Sequence, residues 1–381
     1  MLLTLRATRL IAFPTILVAL GTIAGCAGLE SGSLADEDRV KAVAESFGVQ
    51  WTGLAVSKAG RRFVSSPNWH DGHYWSVAEL KPDGSPAPYP DQFWNRFDER
   101  LGIPPGDQFV CVQSVHIDSS DRLWVLDPAS PKFAGVIPGG AKLVQFDLAT
   151  DRAARIIHFD DAIAPKNSYL NDVRIDVARD TAYITDSGLG AIVVVDLQTG
   201  KARRLLADDP RTKAEDIVPV IEGRELRYST GPETGQVPKI NADGIAISSD
   251  GQWLYWQALT ARTLYRIPTD VLRDPTSSDE RISAAVKSLG PSVMTDGMEI
   301  DSRGTLYFTA LEKGSIMTRT PDGLMQTIAR DPRIIWPDSF AFGSDGSLYF
   351  TTSQINRTSR FSPRGTMPAS PYFVFRLPAG W

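Results

Sequence analysis

A short apolar run, a tight turn and a second apolar run recur in that order six times along the 381-residue chain. The units begin at Thr52 (TGLAVSKAGRRFVSSP), Ser114 (SVHIDSSDRLWVLDP), Asp172 (DVRIDVARDTAYITDS), Asp243 (DGIAISSDGQWLYWQA), Asp296 (DGMEIDSRGTLYFTA) and Asp338 (DSFAFGSDGSLYFTT). Their starts lie 62, 58, 71, 53 and 42 residues apart. Within the fourth unit, Ile245 and Ile247 flank Ala246, Asp250-Gly251 supplies a hairpin turn, and the run after it is rich in Leu, Tyr and Trp. Arg303-Gly304 and Asp345-Gly346 are equivalent turns, and further strand-like runs follow at Ala141, Ala191, Thr263 and Ser315. A repeat of this size, built from paired strands, predicts an all-β chain folded as a six-bladed β-propeller of four-stranded antiparallel blades. Helical turns are expected only within Gln92–Gly102 and Thr269–Asp274.

The two ends of the described pattern suggest how the ring closes. Val40–Phe47 is a strand-like run before the first unit, and Tyr372–Leu377 is the last strand. Both are expected in one blade, with the N-terminal strand outermost, so that no sheet edge is left open. Val43 is the expected point at which a proline would break that closure.

The first 25 residues read as a leader. Arg6 and Arg9 precede an apolar stretch from Leu10 to Ile23, too short for a comfortable membrane span. It ends in Ile23-Ala24-Gly25-Cys26, which resembles the bacterial lipobox and implies lipidation of Cys26. Ala27 rather than Asp follows, which implies outer-membrane sorting, with a periplasmic or extracellular protein as the wider expectation. Residues 26–39 are then a polar tether and 40–381 a single propeller domain. The formal charge is −5, or −7 without the leader, and no basic cluster stands out. Nucleic acid is therefore excluded as a partner class, and membrane association is left to the acyl chains on Cys26. Cys111, in FVCVQ, reads as a small buried hydrophobe without a disulfide partner once Cys26 is lipidated.

Read in register, the units place one column of residues at one end of the channel: Thr52, Ser114, Asp172, Asp243, Asp296 and Asp338. Asn171 adds an amide beside them. Four converging carboxylates repel, and need a cation, a proton or hydrogen-bond donors. Hard oxygen ligands suit Ca²⁺ or another divalent cation, which makes Asn171, Asp172, Asp243, Asp296 and Asp338 candidate ligands. The alternative is that Asp before Gly merely caps the loop backbone. The loops after the second strands reach the same mouth. They bring Trp69, Tyr74, Phe133 and Trp256 as aromatic walls for a cationic or ring-bearing small molecule. Packing between blades is the competing role for Trp256. His116, two residues beyond Ser114, is a candidate ligand contact or base in the channel, against a purely structural role. His70 and His73 read as surface residues. The stretch 208–237 is either a lid or a solvated insertion.

Several blocks carry a family resemblance. SYLNDVRID, AYITDSG, DGIAISSDGQWLYWQAL and LYRIPTDVLRD, with TGLAVSKAGRRFVSSPNW, PYPDQFWN and QSVHIDSSDRLWVLDP before them, resemble the major royal jelly protein/Yellow family in its order from Val40 to Leu377. The resemblance implies a secreted six-bladed propeller; members include small-amine binders, pigment-pathway proteins such as dopachrome tautomerase-related ones, and nutritive proteins. A more distant resemblance is to the gluconolactonase/senescence-marker propellers. Asn171-Asp172 is similar to that family's ND segment and Asp296-Gly297-Met298 to its DGM segment, whose Asp serves as metal ligand and general base. Asp243-Gly244 stands where that family has Asn-Gly, and Thr52 where it has an acid. The expectation is a ligand-binding propeller. The alternatives are a metal-assisted lactonase or tautomerase with Asp296 as its base, and a platform for protein partners.

Overall fold

In a computed structural model of the chain, residues 39–362 and 371–380 are described; the leader and Cys26 lie outside them. Six four-stranded antiparallel sheets account for nearly all the regular structure. Blade 1 holds Leu54–Val56, Arg62–Ser65, Val77–Leu80 and Pro86–Pro88, and blade 2 Ser114–Ile117, Leu123–Asp127, Lys142–Asp147 and Arg152–His158. Blade 3 comprises Leu170–Asp176, Thr181–Asp186, Ala191–Asp196 and Ala202–Leu205; blade 4 Ala242–Ile247, Trp253–Ala258, Thr263–Pro268 and Lys287–Pro291. Blade 5 runs through Thr295–Ile300, Leu306–Ala310, Ser315–Arg319 and Met325–Arg330. Blade 6 takes Pro337–Phe342, Leu348–Thr352 and Tyr372–Leu377, and its outermost strand is Lys41–Ser46 from the other end of the chain. The first strand of each blade packs against those of both neighbouring blades, so the six close into a ring.

The reason the sheets stand face to face is visible in their burial. Six apolar layers fill the spaces between successive blades. Between blades 3 and 4, for example, Tyr183, Ile192, Ile245, Leu254 and Trp256 interlock. Between blades 6 and 1, Ala44, Trp51, Val64, Trp75 and Val374 do the same. A seventh cluster sits over the mouth rather than between blades. There Ile221 and Leu226 of the stretch 208–237 bury against Leu259, Met294, Trp336 and Phe361. That stretch carries a short hairpin, Val220–Ile221 with Arg224–Glu225. It is a packed wall of the mouth, not a solvated insertion. Short helices lie at Thr269–Arg273 and Asp279–Ala285; the second has its Ser278 side chain accepting from the Arg281 N–H.

The closing strand differs in one detail from expectation. Lys41–Ser46 pairs antiparallel with Tyr372–Leu377, but the register shifts between Ala42 and Ala44, leaving Val43 at an irregularity. Val43 instead gives its carbonyl oxygen to the Arg62 guanidinium of blade 1, at 3.2 Å. Ala44 opposite Val374, buried in the layer between blades 6 and 1, is the more sensitive point. Ala44→Asp would bury a charge without a partner, at about 3 kcal/mol. The thermal unfolding midpoint should fall by several degrees, whereas Val43→Asp should change it little; equal effects would contradict this closure.

Candidate functional site

Four blades share one local distortion. The register of the first two strands breaks between Leu170 and Val173, Ala242 and Ile245, Thr295 and Met298, and Pro337 and Phe340. Each bulge contains the ring residue of its unit: Asp172, Asp243, Asp296 and Asp338. A bulge re-aims a side chain that regular pleating would send to a sheet face. The residue after the acid explains the recurrent glycine. A Cβ on Gly244 would stand 2.3 Å from the Asp296 carbonyl oxygen, and one on Gly297 2.1 Å from that of Asp338. The backbone of the next blade passes where a side chain would be. Glycine is thus required by the approach of adjacent blades, not by loop capping.

Hydroxyl groups on the second strands brace the bulges. Thr185 Oγ1 accepts from the Asp172 N–H and donates to the Asp243 carbonyl, at 3.2 and 2.6 Å. Thr309 Oγ1 accepts from the Asp296 N–H at 3.0 Å. Thr351 Oγ1 donates to the Thr52 carbonyl at 2.6 Å, and Ser65 Oγ to that of Gln113 at 2.7 Å. Thr52 itself is buried within this hydroxyl network and bonds to Ser65 and Gln113.

All four ring carboxyls are buried, and burial pushes each pKa up. For Asp243, Asp296 and Asp338 the rise is well above the usual carboxylate range, reinforced by the charges of their neighbours in the ring. For Asp172 the rise is smaller, because the Arg174 guanidinium and a hydrogen bond with Ser114 oppose it. Asp243 and Asp296 are neighbours on the floor of the mouth, and each perturbs the ionisation of the other. The Asn171 amide donates to Asp243 Oδ2 at 2.5 Å and the Trp336 indole N–H to Asp296 Oδ2 at 2.7 Å. Asp243 Oδ1 is buried and meets no hydrogen-bond donor, which disfavours the ionised form of this carboxyl. Trp336 holds its place with φ at +47°, a left-handed conformation a bulky residue seldom adopts.

A cavity of about 330 Å³ opens above this pair. Asn171, Asp243 and Asp296 form part of its floor; Trp69, Phe133, Tyr169, Tyr228, Trp336 and Phe361 wall it. Trp69 stacks on Phe133 with centroids 5.2 Å apart, and Phe133 meets Tyr169 at the same separation. The Trp69 indole donates to the Tyr169 hydroxyl at 2.7 Å, which donates to Gln113 Oε1 at 2.9 Å. This chain fixes one wall. On the other, Tyr228 stacks on Phe361 at 5.4 Å.

Other expected residues fall elsewhere. Asp172 and Asp338 stay in the ring but do not line the cavity. Tyr74 is 72% exposed and borders a separate hollow of about 140 Å³ beside His70 and His73. His70 also lines the main cavity. Trp256 is fully buried between blades 3 and 4, donating to the Arg211 carbonyl at 2.9 Å and stacking on Tyr265, so its role is packing. His116 is not part of the cavity wall. Burial, and after it the Arg174 charge, lowers its pKa to about 3, so it is neutral. Arg360, Trp336, Tyr169, Tyr228 and Phe361 were not anticipated. For Tyr169 and Trp336 the usable signal was position, two or three residues before a ring acid. Arg360 carries no repeat signal.

The gluconolactonase resemblance implies a divalent cation, and the donor set argues against one in this arrangement. Among the described residues no three His, Cys, Asp or Glu side chains form a group that could hold a metal ion. Two of the carboxylate oxygens that would ligate it already accept N–H bonds from Asn171 and Trp336. The first-blade position is Thr52, which carries no charge.

The fold and mouth define a six-bladed propeller with an aromatic-walled, acid-floored pocket on its axis. The major royal jelly protein family model matches residues 110–360, and the chain belongs to that family. Major royal jelly protein 6 of Apis mellifera is 28% identical over 230 residues, covering 52% of this chain and 47% of that protein. A 6-deoxy-6-sulfogluconolactonase of Pseudomonas putida is 31% identical over 121 residues, 31% of this chain and 40% of that one. The chain thus spans less than half the length of these curated relatives. Among solved structures, a gluconolactonase from Xanthomonas campestris superposes with a TM-score of 0.52 at 14% identity, covering 89% of each chain. A luciferin-regenerating enzyme gives 0.53 at 14% identity over 88% of this chain and 94% of its own. At that identity the likeness is one of fold.

The acid ring has a consequence for stability. Asp338 Oδ2 is buried without a donor. An unfolded Asp ionises from about pH 4 upward, while the folded one keeps its proton. The unfolded state therefore binds fewer protons, and stability drains away as pH rises toward the folded pKa. Asp338→Asn removes that loss. Its thermal midpoint should exceed the parent's by a few degrees at pH 8 and by less at pH 5. Destabilisation at pH 8, reversed by chelator in the parent, would instead mean that a cation holds the ionised ring.

Proposed function

We propose that this chain is an exported, lipid-anchored binding propeller that captures a small ring-bearing organic molecule at the mouth of its channel. The observation that carries this reading is the cavity of about 330 Å³ whose walls are stacked aromatic rings and whose floor is a buried acid pair. Its volume suits a compact ligand, and flat rings offer stacking faces while Asn171 and the acid pair offer hydrogen bonds. Isothermal titration of tyrosol (a neutral phenol alcohol) into the protein tests it. Binding should weaken roughly tenfold in Trp69→Ala, which removes a stacking face, and in Phe133→Ala, which removes the ring that Trp69 and Arg360 pack on. Unchanged affinity in both would move the site elsewhere.

A second reading has one observation in its favour. Two buried carboxyls side by side at a cavity floor are a means of proton transfer, as in a tautomerase. In that case the raised pKa of Asp296, set first by burial, favours its giving a proton before it accepts one. Asp296→Asn would then abolish turnover on an enolisable carbonyl substrate while leaving tyrosol binding within severalfold of the parent. For the anchor, the leader that ends at Cys26 supports lipidation. Cys26→Ser should abolish incorporation of a labelled fatty acid and shift the protein from the membrane to the soluble fraction. Labelling that persists would exclude Cys26 as the lipidation site.

A further inference from the structure

The aromatic faces of the cavity already hold a cation of the protein's own. The Arg360 guanidinium carbon lies 3.7 Å from the centroid of the Phe133 ring, 5.2 Å from that of Tyr228 and 5.7 Å from that of Phe361. Its backbone is pinned, because the Arg360 carbonyl accepts from the Ser229 N–H at 2.8 Å. The next residue's ring, Phe361, packs into the cluster under the hairpin. Among the described residues its side chain makes one hydrogen bond, a long one of 3.5 Å from Nη2 to the Tyr228 hydroxyl. Among the described residues no carboxylate pairs with Arg360. Glu233, on the same rim, is exposed and does not reach it. A guanidinium stacked flat on a ring keeps its in-plane N–H groups directed outward, and they match a carboxylate or a phosphate bidentately. Lys166 stands on the same cavity wall, and Lys239 there is paired with Asp216 at 3.0 Å, while the floor holds acids whose pKa values burial raises. Burial, and after it the Arg360 charge, holds His70 below the usual imidazole range.

This arrangement turns the sequence expectation around. Rings above acids suit a cation, but the Phe133 face already carries Arg360, and burial works against ionisation of the acids. Resting on the binding reading above, we infer that Arg360 is the specificity-determining residue of the cavity. The ligand it selects is a compact aromatic or cyclic molecule that carries an anionic group, such as a carboxylate, at one end. That group meets the Arg360 fork at the mouth, and a hydroxyl or carbonyl at the other end meets Asn171 and the Asp243–Asp296 pair at the floor.

Three probes of nearly one shape separate the possibilities: 4-hydroxyphenylacetate (anionic), tyrosol (neutral) and tyramine (cationic), titrated calorimetrically against the full chain. The anion should bind at least tenfold more tightly than tyrosol, and tyramine more weakly than either. Arg360→Gln should bring the anion down to the affinity of tyrosol while tyrosol changes severalfold at most; Arg360→Lys should keep part of the preference. In the unaltered protein, raising salt from 20 to 500 mM should weaken the anion and leave tyrosol nearly unaffected, a readout that needs no variant to fold. Tyramine binding as tightly as the anion, or a preference that survives in Arg360→Gln, overturns the role of Arg360 and leaves the binding reading standing. If none of the three binds, the binding reading fails, and this inference with it.

Discussion

The site rests on how closely the first strands of neighbouring blades approach one another. Around Gly244 and Gly297 the backbone of the next blade comes so near that no Cβ fits. Two residues must therefore share the space of one at that point of the ladder, and the extra residue is thrown out of the pleat as a bulge. In three blades the first bulge residue is an aspartate, Asp243, Asp296 or Asp338; in blade 3 it is Asn171, and Asp172 follows it at the position that Gly244 and Gly297 hold elsewhere. The convergence of four carboxyls is thus a product of ring packing. The Thr and Ser hydroxyls that brace the bulges also stitch blade to blade, as Thr351 does to Thr52, so ring closure and acid placement are one structural fact.

The electrostatics follow from that placement. A buried carboxylate without a counter-charge is costly, and four together are more so. The chain answers with protons and with donors aimed at particular oxygens: Asn171 at Asp243 and the Trp336 indole at Asp296. Trp336 reaches its acceptor from a left-handed backbone, held there by the apolar cluster beneath the hairpin at Val220–Glu225. Arg174 is the cation beside Asp172, and Arg360 sits higher up, on the Phe133 face. The cavity thus has buried acids at its floor and a guanidinium at its rim.

The architecture was legible because strand, turn and strand leave a period-2 signature that survives in every unit, and because the register of the repeats carries over directly into space. That is how Asp243, Asp296, Asp338 and the shared blade are legible from residues alone; in blade 3 the register differs by one, and Asn171 rather than Asp172 holds the equivalent position. The walls were harder, because they come from loops whose lengths differ from blade to blade. Trp69 and Phe133 were placed at the mouth and are there. Trp256, from the equivalent part of blade 4, turns into the layer beside Tyr265, because one residue along a strand exchanges the mouth for the blade face. Tyr228 and Arg360 belong to segments outside the repeat, 132 residues apart in sequence, and nothing in one segment announces the other. The glycines were legible as a pattern but not as a cause: a close interblade contact leaves the same Asp-Gly as a capped loop.

Family membership and residue chemistry answer different questions here. The match over residues 110–360 begins beside Cys111 and ends at Arg360, so it spans blades 2 to 5 and two strands of blade 6, with Phe133, Tyr169, Tyr228 and Trp336 inside it and Trp69 and Phe361 outside. It establishes what is built. What the mouth recognises depends on a few side chains that the fold leaves free to vary. Thr52 in place of an acid, Asp243 in place of an amide and a donor N–H on Asp296 each shift the floor away from holding an ion and toward holding a proton. With the Phe133 face occupied by a guanidinium, a cationic ligand would have to displace a pinned charge of its own sign, whereas an anionic one would complete it. The same propeller can therefore present opposite charge preferences through the residue stacked on one phenylalanine, with no change in the blades.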